Sequence, residues 1–91
     1  MKHKICVVDG KASDSMEDWV LGDMIADTAQ PFMEWSRQYP GDAVTFSKEI
    51  SVSEYGGLRV QIFANIDDDA IAGHFVLEHG NQPVKELTWK F

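Results

Sequence analysis

With 91 residues the chain has room for one hydrophobic core, because a second would have too little polypeptide to close around it. A hydrophobic content of 44% and an aromatic content of 11% argue against a disordered chain. The formal charge of −7, from 15 acids against 8 bases, repels phosphate backbones and leaves no concentrated basic patch for direct nucleic-acid binding.

The acids are unevenly placed. Residues 9–42 carry eight of them against Lys11 and Arg37 alone, while residues 43–91 carry seven against four bases. Cys6 is the sole cysteine, so no internal disulfide forms, which fits a reducing cytoplasm. The opening MKHKICVVDG has an apolar run of only four residues, too short for a signal-peptide core or a membrane span. A cytoplasmic location with no membrane contact is the expectation.

In chain order, Ile5-Cys6-Val7-Val8 predicts a short buried strand bounded by Asp9-Gly10, with 9–15 as a turn. Ser13 or Asp14 is placed to cap a helix, and Glu17 and Asp18 suit its positive first turn. From there Leu21, Met24, Ile25, Thr28, Ala29, Phe32, Trp35 and Tyr39 keep the three-and-four rhythm of one helix face. Pro31 lacks the N–H that would bond residue 27, which predicts a kink or a break. Tyr39-Pro40-Gly41-Asp42 ends the segment.

The period then changes to two. Val44, Phe46, Ile50 and Val52 alternate with polar residues, and Lys48 interrupts the apolar side, as on an edge strand or at a bulge. Tyr55-Gly56-Gly57 signals a tight turn, followed by alternating Leu58, Val60, Ile62, Ala64 and Ile66. Asp67-Asp68-Asp69 reads as the next turn, Ile71, Phe75 and Leu77 as a third strand of this series, and Leu87, Trp89 and Phe91 as a fourth. The expected fold is therefore a single α+β domain over 1–91. An antiparallel sheet of four to five strands carries one long kinked helix on one face, in the order β-α-β-β-β-β.

Motifs for chemistry are sparse. Asn65 to Asp69 begins like a calcium loop, but Ala70 stands where that loop needs glycine and Val76 where it needs a carboxylate. No histidine has a partner at zinc-ligand spacing. Cys6 sits in an apolar run, which raises a thiol's pKa and suppresses thiolate. No nucleophile elbow, phosphate-cradling loop or dinucleotide fingerprint occurs. The chain is expected to be no enzyme and to need no cofactor or metal.

The helix is the informative place. At about 100° per residue, Asp23, Asp27 and Glu34 lie nearly opposite the apolar stripe, with only Arg37 as a positive neighbour. Such a row adds nothing to helix stability. Trp19, Met33, Met16 and Val20 flank it, either as a wider buried arc or as the dry centre of an interface. The expected function is a small acidic protein-binding domain, an inhibitor or immunity-type partner or a nucleic-acid mimic. It would occupy a basic surface of another protein, such as a nucleic-acid-binding enzyme. Asp14, Glu17, Asp18, Asp23, Asp27 and Glu34 would supply attraction, and Trp19 and Met33 the apolar anchor. The alternative is a homodimeric small-ligand-binding or structural module that uses the open sheet face around Phe63 and Val76, or pairs through an edge strand.

Overall fold

A computed structural model describes residues 2–89 and gives the order β1 (His3–Ala12), α1 (Asp18–Ser36), β2 (Val44–Val52), β3 (Leu58–Ile66) and α2 (Asp69–His79). The sheet has three strands in the order β1-β3-β2, with β3 antiparallel to both neighbours. Strands β1 and β2 therefore run parallel with β3 between them, a split β-α-β unit. The expectation of a four- to five-stranded sheet under one long kinked helix is overturned. The protein is α+β with an antiparallel sheet, but the sheet has three strands and a second helix follows it.

The alternation on β3 sets the layers. Val60, Ile62, Ala64 and Ile66 are buried on the helix side, and register pairs them with Gly10, Val8 and Ile5 of β1 and with Ile50, Lys48, Phe46 and Val44 of β2. A bulge between Cys6 and Val8 turns Val7 inward as well. The first strand is longer than its apolar run. It continues through Asp9 and Gly10 to Ala12, where a turn was expected, because backbone pairing with β3 carries it on. Gly10 is glycine for a steric reason: a Cβ there would stand 3.1 Å from Leu87 Cγ.

Helix α1 buries Leu21, Ile25, Thr28, Ala29 and Phe32, the stripe that the spacing predicts. It runs through Pro31 without a break, because the missing N–H affects one bond on an exposed face while Ala29 and Phe32 are held in the core on either side. Neither Ser13 nor Asp14 caps it. Glu17 occupies the cap position and makes no side-chain capping bond, while Asp18 sits in the first turn as expected. Buried Thr28 is tied twice: its hydroxyl donates to the Met24 carbonyl at 2.8 Å and accepts the Thr88 N–H at 2.7 Å.

The second helix replaces the expected third strand of the series. Asp68 accepts from the N–H groups of Ala70 and Ile71 at 2.8 and 3.1 Å, which starts a helix where a hairpin turn was expected. Gly80, at φ 77, ends it. Ala72 and Phe75 face the core, with Ile71 packed beside them, whereas Leu77 is 83% exposed. The final strand expected at Leu87, Trp89 and Phe91 is likewise replaced. Val84 makes one isolated parallel bridge to Val8, held by Asp9 N–H to Val84 O at 2.8 Å and Val84 N–H to Val7 O at 2.9 Å. Leu87 packs on the core without strand pairing, and Lys90 and Phe91 lie outside the described residues.

The helical assignment of 69–79 has a direct test. Phe75→Ala is expected to destabilise the fold by about 3–5 kcal/mol in urea unfolding, and Leu77→Ala by less than about 0.5. A strand with both side chains on one buried face would lose heavily at both positions.

Candidate functional site

The outer face of α1 was expected to carry the site, and its residues divide. Asp23 and Glu34 are exposed, and neither forms an ion pair among the described residues. Glu34 accepts the Gln30 amide at 3.0 Å, one turn back on the same helix. Asp27 is half-buried and is not a free carboxylate, so the row of three reduces to two. Asp14, in the turn before the helix, and Glu17 and Asp18 at its start, are all exposed.

The large side chains divide as well. Trp19 is 61% and Met33 46% exposed, whereas Met16 and Val20 are half-buried and Met16 packs on the core. The Trp19 indole N–H donates to Glu17, and its ring meets Trp89 edge-on at a 6.3 Å centroid distance. At about 100° per residue, Trp19, Ala26 and Met33 fall within roughly 40° of one another, beside Asp23 and Gln30. These side chains form one line along the helix, roughly 21 Å from end to end.

The open sheet face, the alternative surface, is largely satisfied within itself. Lys4 pairs with Glu49 at 3.3 Å and lies 4.4 Å from the Phe63 ring centre, and Asn65 donates to Ser47 at 3.2 Å. Val76 is not part of this face, because it belongs to α2. Cys6 lies on it opposite Phe63, its thiol donating to Val8 O at 3.3 Å, with burial first among the causes that push its pKa up.

At one end of that face, Arg59 holds Asp9 in a two-pronged grip, Nε to Oδ1 at 3.0 Å and Nη2 to Oδ2 at 2.9 Å. An open groove of about 900 Å³ lies beside this pair, lined also by Lys11, Lys85, Val52 and Tyr55. A second cleft, of about 180 Å³, separates α1 from β2 and is lined by Asp18, Leu21, Gly22, Ile25, Lys48 and Ile50.

One cluster escapes the sequence reading. Trp35 and Tyr39 at the end of α1 meet His74, Phe75 and His79 of α2, with ring centroids 4.8–6.1 Å apart. Tyr39 Oη is hydrogen-bonded to His74 Nδ1, and His74 Nε2 lies 3.5 Å from Glu78. A neutral imidazole serves both partners only with its proton on Nε2, which lets the phenol donate to Nδ1. Trp35 Nε1 and His79 Nε2 are enclosed with no hydrogen-bond partner among the described residues. The spacing of His74 and Glu78, one helical turn, was the available signal. It was lost because the segment was read as a strand.

Among the described residues no three His, Cys, Asp or Glu side chains gather as a metal site. Asp68 caps α2, and Asp69 bonds His3 Nε2 at 2.7 Å, a contact that heads the causes lowering its pKa. No described helix is long and apolar enough to cross a membrane. Comparisons with protein-family models, curated proteins and solved structures returned no match.

The Asp9–Arg59 grip generates a pH prediction. The guanidinium, through its hydrogen bonds first, holds the Asp9 carboxyl below its ordinary value. A depressed folded pKa contributes stability above the unfolded value of about 3.9, and that contribution disappears as pH falls through the folded value. Arg59→Gln is expected to move the Asp9 midpoint up toward the ordinary range in carboxyl-carbon NMR titration. The stability gap between parent and variant, present at neutral pH, should narrow as pH falls below the ordinary carboxylate range.

Proposed function

We propose that the protein is a small acidic protein-binding domain that docks a basic surface of another protein through the outer face of α1. The observation that carries this reading is the exposure of Trp19 and Met33 beside Asp23, whose carboxylate has no partner among the described residues. Trp19 keeps most of its surface in water even with Trp89 against one edge and Glu17 on its N–H, and Met33 is nearly half exposed. A large apolar side chain left in water gives up roughly 1.5–3 kcal/mol of burial, which an interface restores. Unsatisfied carboxylates nearby raise the encounter rate with a cationic partner and reject anionic ones.

The action that fits is occupancy, as by an inhibitor or an immunity-type partner, rather than catalysis. Asp14, Glu17 and Asp18 extend the negative field past the start of the helix, while Asp23 and Glu34 border the apolar line. A nucleic-acid mimic is the less favoured form of the same idea. Duplex DNA presents a charge about every 1.7 Å, and Asp23 and Glu34, roughly 17 Å apart along the axis of α1, replace few phosphates.

Affinity capture from the native lysate, eluted with rising salt, tests the reading when the parent and an Asp23→Lys/Glu34→Lys variant are run side by side. A basic protein held by the parent, released early by salt and missing from the variant is the expected result. In purified form the variant should associate about tenfold more slowly or worse. Equal retention by both proteins would remove the carboxylates from the explanation, and Trp19→Ala then decides whether the indole acts alone.

A further inference from the structure

Strand β2 is the bare edge of the sheet. The outer side of β1 is occupied at Val84 by two backbone hydrogen bonds, but among the described residues no strand lies beyond β2 in the order β1-β3-β2. From Lys48 to Val52 every residue of β2 is exposed, including Ile50 at 43% and Val52 at 78%. Those two side chains point to the helix side, in register with buried Val60 and with Leu58. The cleft of about 180 Å³ opens at this place, with Leu21 and Ile25 forming its apolar floor.

Gly22 lines that cleft. A glycine inside a helix destabilises it by about 1 kcal/mol relative to alanine. Packing gives no reason for it, since a Cβ at Gly22 would meet nothing within 4 Å. Gly73 is equally free of neighbours but lines neither groove. At Gly22 the missing side chain leaves room beside an unpaired strand.

We propose that β2 and the flank of α1 form a groove for an extended segment of a basic partner protein, which adds to the sheet as a fourth strand. Its backbone pairs with the free edge, and every second side chain is apolar and enters the space between Ile50, Leu21 and Ile25. Its remaining side chains include lysine or arginine, favoured by the net charge of −7 of the whole chain, while Asp18 and Lys48 at the cleft offset one another.

The net charge of −7 on each copy disfavours a second copy of this chain as the occupant. Two β2 strands that keep their helix-side residues together in antiparallel pairing overlap fully only with Lys48 opposite Lys48. The next register toward the C-terminus sets Glu49 opposite Glu49. Like charges directly opposite destabilise these two registers, and the register one step toward the N-terminus, with Ser47 opposite Ser47, is opposed by the charge of −7 on each copy. The groove is separate from Asp23, Glu34, Trp19 and Met33, so its failure and that of the helix-face contact can be told apart.

The probe is a synthetic peptide of alternating valine and lysine, with a block-ordered peptide of the same composition as control. The alternating peptide is expected to shift the amide resonances of Val44–Val52 and slow their hydrogen exchange, and the control to do neither. Gly22→Leu should fill the cleft and weaken binding about tenfold or more. Its melting temperature should hold or rise, which separates blocking from misfolding. The Asp23→Lys/Glu34→Lys variant should retain protection of the β2 amides. Equal binding of the two peptides, undiminished binding by Gly22→Leu, or protection confined to α1 would each overturn the proposal. Dimerisation in sedimentation with protection of the same β2 amides would also overturn it, by making a second copy the occupant.

Discussion

Burial of one side of β3 is the constraint from which the rest of the architecture follows. Val60 and Ala64 are wholly enclosed, Ile62 and Ile66 nearly so, and this apolar row needs a cover along its whole length. Three strands and two helices are what the chain can supply. Helix α1 brings Leu21, Ile25, Ala29 and Phe32, and α2 brings Ala72 and Phe75. Because both helices serve the same side, the other side of the sheet stays wet and settles its charges in local pairs. Because β3 lies in the middle, β2 is left with one neighbour and β1 with one neighbour and a fragment of another. Exposure at β2 is thus a consequence of topology.

Much of this was readable in the residues, and the misreadings have physical causes. The stripe from Leu21 to Phe32 identified α1 and its buried side, since three-and-four spacing over about three turns admits no other regular structure. Alternation from Leu58 to Ile66 identified β3 and the glycines after Tyr55 the turn, while Lys48 left an edge position and a bulge both open. The second helix was missed because Ile71, Phe75 and Leu77 mimic alternation when small Ala72 and Gly73 between them are given no weight. Asp68 before the segment and Gly80 after it were the better signals, being a cap and a stop for which a hairpin has no need. The closing segment was misread for a different reason. Leu87 and Trp89 alternate as in a strand, but Leu87 fits against Gly10 and Thr88 bonds buried Thr28, contacts that no local pattern encodes.

The exposed face of α1 was legible only in part. Periodicity placed Asp23 and Glu34 in water, and it could not separate them from Asp27, whose surroundings depend on distant parts of the chain. It also could not decide between exposure and a wider buried arc for Trp19. That choice rests on where Trp89 ends, seventy residues downstream. The aromatic and histidine cluster around Trp35 was invisible for the same reason, since it joins two helices of which one had not been recognised. Side chains that meet only through tertiary structure leave no periodic trace.

The tie between Val84 and Val8, with Leu87 over Gly10 and Thr88 on Thr28, bears on how the polypeptide emerges from the ribosome. Until residue 84 has been synthesised, β1 has a fully bare outer edge, and the Thr28 hydroxyl lacks its downstream donor. A nascent or prematurely terminated chain therefore exposes two unprotected sheet margins at once. That is the form in which small β-containing domains stick to one another. Residues 84–88 act as a latch, and they must be made before β1 and the Thr28 hydroxyl are covered.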